Sequence, residues 1–454
     1  MRGIINRAIN ERLSPGVNAP VSASYEEGEV VDVRETVLGD LYDGENVWYK
    51  LNTGGYVWSG GVYVQRDFSG LKNEKDRDQF LISYRKIKRD ARPDLDTKEP
   101  PDRLYFTPLR LPADTESIRV NELTPEVWVQ GIIDSIKVLN DNRKHVFIYI
   151  HGYQLFSSLK LDLLSSFVLN YMNHPANKIA KVLFMAWPGQ GGPGRKTVDD
   201  RSIRAGQQFT ENKLFRYFEI LSDKLKEEQK YLNLVIHSFG HQLLNGMLNP
   251  EKEQESIPQR PIFENVFLMA PDVSHITVKK FNDIKDAKLR NYFKDNEGKD
   301  YYYQYSLLPK MANKVYVFHD KYDYLLYSST KKFVNKGELN KAMTKADRLA
   351  ITSNYRNLGN YGNCLIDQAD WETGFEYRDV TKLVENAPLA DLSDYPFQDI
   401  RKGPGKNVDT VWTDEDYDGI NALRIIFNGK RFPDHHRYLF TCKPVVDEVL
   451  SLLK

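Results

Sequence analysis

Cysteine is almost absent: Cys364 and Cys442 are the only two in 454 residues. Two such distant cysteines build no disulfide framework and lack zinc-type spacing, which suits a reducing compartment. No uninterrupted apolar run approaches the roughly 20 residues that a membrane-spanning helix needs. Net charge is missing as well, because 63 Lys and Arg balance 63 Asp and Glu. That balance leaves no electrostatic footprint for nucleic acid or an anionic membrane. With no H-E-x-x-H and no paired-cysteine motif, neither a catalytic metal nor a cofactor is expected. The opening MRGIINRAIN carries positive charge but neither a long apolar core nor a small-residue cleavage site. No secretory leader is visible, so the cytoplasm is the expected location, with leaderless export left open. Internal repeats and low-complexity segments are also lacking.

What the chain does have is core-forming material. Hydrophobic residues make up 41% and aromatics 12%, too apolar a composition for a disordered chain. The pattern divides into residues 1–66, a charged tract over 67–103, and a body over 104–454. In the first part, EVVDVRETV (29–37) alternates apolar and charged residues as a strand with one buried face does. NVWYKL and GGYVWSGGVYV are aromatic and β-forming, with turn residues between them. Some 65 residues of short strands suit a small barrel. The tract LKNEKDRDQFLISYRKIKRDARPDLDTKEPP (71–101) reads as a short helix over 72–90 followed by a linker, its charges forming a solvated face.

The run from Ile9 to Val64 resembles a bacterial SH3 domain. INERLSPGVNAPVS stands at that family's first strand and turn, YEEGEVVDV at its next strand, and VWYKLNTGGYVWSGGV at its closing aromatic strands. The resemblance implies a groove for peptides or cell-wall fragments, with Trp48, Tyr49, Tyr56, Trp58 and Tyr63 as candidate lining. Alternate members of such a set are equally candidates for the barrel core.

Within the body, HVFIYI (145–150), VLFMAW (182–187), LNLVIH (232–237), NVFLMA (265–270) and KVYVFH (314–319) are near-continuous apolar runs, as buried parallel strands are. Helical patterns lie between them, including residues 211–230, where Leu214, Phe218, Leu221 and Leu225 share a face. Strands alternating with helices predict an α/β, doubly wound, mostly parallel sheet.

The sharpest chemical signal is LNLVIHSFGHQLLNGML (232–248). A buried strand ends at His237, Ser238 follows, and a helix opens at Gly240. Serine nucleophiles of α/β hydrolases sit on such a turn, where the helix N-terminus favours a developing oxyanion. The alternative is a serine that merely caps the helix. His151-Gly152-Tyr153 follows an earlier strand, where a second oxyanion donor is supplied in that fold. The N–H groups of Tyr153 and Phe239 are therefore the expected oxyanion hole. His151, Gly152, Trp187 and His237 are candidates to line the substrate site, His151 as a structural hydrogen-bonder rather than a base. For the acid, Asp323 leads over Asp320 and Asp272. For the base, His436 leads over His435, both preceding a C-terminal amphipathic helix. GQGGPGRK (189–196) lacks phosphate-loop spacing, because Arg195 occupies the lysine position.

The body resembles a large, mostly uncharacterised bacterial family of α/β hydrolases, over about residues 104–454. The family's motifs match HGYQ (151–154), AWPGQGG from Ala186, IHSFGH (236–241), APDVSH (270–275), DYLLYSS (323–329), RNLGN (356–360), RDVT (378–381) and HRY (436–438). The resemblance implies Ser238, Asp323 and His436 as the triad. Ile236 departs from it where a small residue is usual, as do Gln154 and His241 where the family has Asn. Stretches near 276–311 and 385–432 look like cap-forming insertions. The expected function is hydrolysis of an ester, thioester or related acyl bond in a small-molecule or lipid substrate, with the β module as a targeting element. The alternatives are a non-catalytic interaction protein on a hydrolase scaffold and an amidase or peptidase acting on cell-wall material. Oligomeric state is not legible.

Overall fold

The computed structural model describes residues 2–5, 7–42, 45–64, 68, 71–83, 105–112, 118, 124–139, 142–152, 158–187, 195–250, 257–273, 275–278, 304–320, 323, 326, 358–361, 374–387, 436 and 438–454. The chain divides into two compact units: Met1–Gly70 with Ala387–Lys443, and Leu71–Asn386 with Pro444–Lys454.

In the first unit, β1 (Arg2–Ile5), β2 (Ile9–Arg12), β3 (Val21–Tyr25), β4 (Val30–Tyr42), β5 (Glu45–Leu51), β6 (Tyr56–Trp58) and β7 (Val62–Val64) form one curled sheet. Their order is β3-β2-β6-β5-β4-β1-β7 with every neighbour antiparallel, a half-barrel consistent with an SH3-like domain. β1 precedes the segment that carries the resemblance, yet it bridges β4 and β7. The alternation read in 29–37 is present: Val31 and Val33 are buried, and Asp32 and Arg34 are exposed. Ile5, Val31, Val33, Val47, Tyr49, Leu51, Val57 and Val62 make the core.

The second unit is built on an eight-stranded sheet. It comprises β8 (Asp78–Ser83), β9 (Tyr105–Arg110), β10 (His145–Ile150), β11 (Ile179–Ala186), β12 (Tyr231–His237), β13 (Phe263–Met269), β14 (Ala312–His319) and β15 (Phe375–Asp379). The order is β15-β14-β13-β12-β10-β11-β8-β9, parallel throughout except for the antiparallel β8–β9 pair. This is the doubly wound, mostly parallel sheet expected. One correction concerns its start. Where a helix is expected from residue 72, the chain makes a single 3₁₀ turn (Glu74–Arg77) and then β8. Its charges are satisfied by packing. Asp76 pairs with Arg143 at 2.6 Å in a buried bridge. The buried Lys181 of β11 donates to the carbonyls of Lys75 and Asp78. Gln79 donates to the Asp76 carbonyl and accepts from the Val182 N–H.

Helices α1 (Pro125–Lys137), α2 (Ser158–Met172), α3 (Arg195–Glu211), α4 (Leu214–Glu227) and α5 (Gly240–Met247) accompany the sheet. α1 begins where its sequence says it should: Thr124 caps the Val127 N–H and Pro125 opens the first turn. It buries Trp128, Val129, Ile132, Ile133 and Ile136, each worth about 1.5–3 kcal/mol relative to exposure. The helix expected over 211–230 starts at Leu214 instead, because Lys213 takes a left-handed conformation at φ 62° and separates α4 from α3. α1, α3, α4 and α5 share one apolar core with residues such as Ile148, Leu234, Ile236 and Leu268. Across the sheet, Tyr149 and Phe147 of β10 meet Phe167 of α2, and Phe267 stacks on Tyr316. The C-terminal helix Lys443–Ser451 pairs Asp447 with His174, and Glu448 with Arg378. Of the stretches read as insertions, 279–303 and 388–432 lie outside the described residues, as does the Gly-rich run 188–194. Gln304–Met311 forms a 3₁₀ turn and one helical turn leading into β14.

Candidate active site

β10 and β12 are neighbours, with Ile150 opposite Ile236, and their outgoing connections run to opposite sides of the sheet, since β11 follows one and β13 the other. Such a switch point opens a crevice at the carboxyl ends of the strands. Ser238 stands there. Its backbone is left-handed, φ 54°, an uncommon state for a residue with a side chain that costs about 1–3 kcal/mol. Its N–H continues the sheet ladder by donating to the Met269 carbonyl at 2.9 Å. Its own carbonyl accepts from the N–H groups of His241 (3.1 Å) and Asp272 (3.4 Å) and from His241 Nδ1 (2.7 Å). Phe239, not Ser238, occupies the N-cap of α5, and no side chain caps that helix. Ser238 thus lies on the bend before the helix and does not cap it, and it is buried.

Two glycines make the bend fit. A Cβ on Gly152 would lie 2.9 Å from Ser238 Cβ and 3.3 Å from its Oγ; one on Gly240 would lie 2.6 Å from the His151 carbonyl oxygen. The loops after β10 and β12 are thus in backbone contact. His151 is buried, with Nδ1 2.8 Å from the Gly152 carbonyl and Nε2 facing the Trp187 N–H at 3.5 Å. The carbonyl only accepts, so Nδ1 carries the proton. The Trp187 indole N–H donates to the His151 carbonyl at 2.9 Å and its ring stacks on the imidazole. Trp187 in turn stacks on Phe239, 6.4 Å between centroids. His237 is buried at the end of β12.

The acids gather at the next strand ends. Asp272 follows β13, its N–H on the Ser238 carbonyl and its own carbonyl accepting from Gln242 Nε2 at 2.8 Å. Asp320 and Asp323 follow β14; both are buried, and Asp323 accepts from the Leu326 N–H at 3.1 Å. The short helix Leu358–Tyr361 stitches these loops together. Leu358 and Gly359 donate to the carbonyls of Val273 and Pro271, while Asp320 donates to that of Gly359. Pro271 and Val273, Asp320, and Leu358 with Gly359, far apart in sequence, are thereby tied together.

Two further imidazoles lie here, to which the sequence assigned no role. His319 ends β14 buried, and burial holds its pKa below the ordinary histidine value against the pull of the Asp379 and Asp320 carboxylates. His241 is fully buried, and burial pushes its pKa down to about 3. Both follow strand or bend positions recognisable in the sequence. Their burial is not recognisable there.

Among the described residues no complete catalytic triad is evident. His436 is buried just before a one-turn helix, Tyr438–Thr441, and falls in the first compact unit, while Ser238 and Asp323 fall in the second. Tyr153, expected to furnish an oxyanion donor, and His435 lie outside the described residues. No group of three or more His, Cys, Asp or Glu side chains is placed to hold a metal among the described residues. No described helix is long and apolar enough to cross a membrane.

In the β module, Tyr49 turns into the core beside Val57, its cross-strand neighbour. By the two-residue alternation of β5 and β6, Trp48, Trp58 and Tyr56 share the opposite face. Trp48 and Trp58 are nevertheless buried. The Trp48 indole donates to the Asp40 carbonyl, and Arg7 lies over Trp58 at 4.4 Å with Tyr42 edge-on to it. Tyr56 is half-buried with Lys50 5.6 Å from its ring. The side chain of Tyr63 is outside the described set.

A family model described as "Alpha/beta hydrolase of unknown function (DUF900)" matches residues 132–344. That span runs from within α1 past β14 and holds Gly152, Ser238, Asp272 and Asp323; His436 lies beyond it. No curated protein matches the chain.

Proposed function

Starting from an α/β-hydrolase-like body fused to a small β module, we propose that the body is a serine hydrolase cleaving an ester, thioester or related acyl bond. The observation that carries this reading is the left-handed backbone of Ser238 on the β12–α5 bend, the strained turn on which α/β hydrolases expose their nucleophile. In the proposed reaction His436 takes the Ser238 proton and the oxygen attacks the acyl carbon. The N–H groups of Tyr153 and Phe239 hold the oxyanion, each worth roughly 3–4 kcal/mol by analogy with a known serine hydrolase. The protonated imidazole then passes its proton to the departing alcohol or thiol. Water deprotonated by the same ring releases the acid and restores the serine. Asp323 orients the imidazole, and the SH3-like module directs the body to its substrate.

Labelling with a fluorophosphonate tests this. Covalent modification of the wild type, lost in Ser238→Ala, is expected; a folded wild type that never labels would overturn the reading. That outcome would favour a second one, a non-catalytic interaction protein on a hydrolase scaffold. One observation supports it: Ile236 fills the core two residues before the serine. p-Nitrophenyl esters of graded chain length, run beside peptidoglycan fragments, separate an esterase from a cell-wall amidase.

A further inference from the structure

α5 carries a buried histidine that no step of the proposed reaction uses. His241 is wholly inside the protein, and its Nδ1 lies 2.7 Å from the Ser238 carbonyl oxygen. A carbonyl cannot donate, so Nδ1 holds the proton in this contact. Among the described residues Nε2 has no hydrogen-bond partner. Tyr305 closes the space beside the ring, 6.3 Å between centroids, and its hydroxyl donates to the His241 backbone carbonyl at 3.0 Å. The charged group facing the ring is Asp272.

As a stability device this arrangement is poor. A buried nitrogen without a partner is costly, and the Ser238 carbonyl already receives the N–H groups of His241 and Asp272. An apolar side chain of similar volume would serve the core at least as well. What the imidazole adds is a third, directional donor on the one carbonyl whose orientation sets the left-handed turn.

We propose that His241 is a positioning residue for the nucleophile: its Nδ1–H locks the Ser238 peptide so that the hydroxyl points into the crevice. This rests on the reading of Ser238 as nucleophile. Asparagine at 241 keeps a donor within reach of the same carbonyl, whereas leucine keeps volume and loses the donor. His241→Leu is therefore expected to melt at or above the wild-type temperature yet to label with fluorophosphonate at least roughly tenfold more slowly, since small misplacements of reacting groups cost that much or more. His241→Asn is expected to label within about threefold of the wild type. Nitrogen-15 histidine NMR of the intact wild type supplies an independent readout: His241 should show the neutral Nδ1–H tautomer from pH 8 to pH 5.

The outcomes separate cleanly. A wild type that does not label defeats the Ser238 reading, and the positioning role with it. A labelling wild type with an equally fast His241→Leu variant, or an Nε2–H tautomer, defeats the positioning role alone. Should His241→Leu not fold, the tautomer and the His241→Asn rate decide.

Discussion

Ser238 combines two properties that rarely coincide, a side-chain-bearing residue in left-handed backbone and a position at the switch point of a doubly wound sheet. Such strain persists where the surroundings over-determine it, and here three donors on one carbonyl and two close glycines do so. Replacing Gly152 by Ala places a methyl carbon 2.9 Å from Ser238 Cβ. Fluorophosphonate labelling should fall at least roughly tenfold, with a stability loss of about 1–3 kcal/mol as typical of overpacking. Urea denaturation beside labelling kinetics would check both, and unchanged kinetics would remove Gly152 from the site. For the proposed triad, His436→Ala should reduce turnover to the residual level of Ser238→Ala, because members of a triad act as a unit. Asp323→Asn should lower it by roughly 10³–10⁴-fold. A fully active His436→Ala variant would move the base to another imidazole, with His435 next in line.

Between residues and the whole, α5 follows the Ser238 bend directly, and α3 packs closely against α5. A Cβ at Gly246 would lie 2.0 Å from the Ile203 carbonyl oxygen, and one at Gly206 2.1 Å from that of Leu243. The two helices thus cross with their backbones nearly touching, and Gly246→Ala must push them apart. The expected cost is at least about 1–3 kcal/mol, read as a lower urea midpoint, together with slower labelling because the bend moves with the helix. Stability unchanged by Gly246→Ala would show that the crossing has room to spare. Ile236 poses the converse case. Where the resembling family carries a small residue, this chain buries a full side chain in the core between sheet and helices. Ile236→Ala should cost about 2–5 kcal/mol as a cavity, measured by the same denaturation.

At the level of the molecule, three buried histidines set an acid limit. Burial lowers the pKa of His145, His241 and His319, so the unfolded chain binds protons that the folded one refuses. Stability is then complete above the ordinary histidine pKa of about 6.5 and declines as pH falls below it. For His241, held at about 3, the loss between pH 7 and pH 5 is about 2 kcal/mol, and the other two add to it. Urea midpoints at pH 7, 6 and 5 should fall steadily, and less steeply in His241→Asn. A flat profile would mean that these rings are hydrated or charged in the fold.

Much of this architecture was legible in the amino acids alone. β10, β12, β13 and β14 appear where continuous apolar runs mark them, because a strand buried on both faces favours apolar residues and a polar one there, such as Asn233 or Asn265, needs an internal partner. The bend at Ser238 was legible for a related reason: a strand, a serine, a glycine and a helix follow one another without a gap, so local chemistry defines the turn. Tertiary structure decided the rest. β8 hides in a charged tract because the partners that satisfy Asp76 and Gln79, the Arg143 guanidinium and the Val182 N–H, come from elsewhere in the chain. The stitching of residues 271–273, Asp320 and residues 358–359 rests on backbone hydrogen bonds, which side-chain patterns do not encode. The neutrality of His241 and His319 comes from burial, which depends on what the whole chain folds around them.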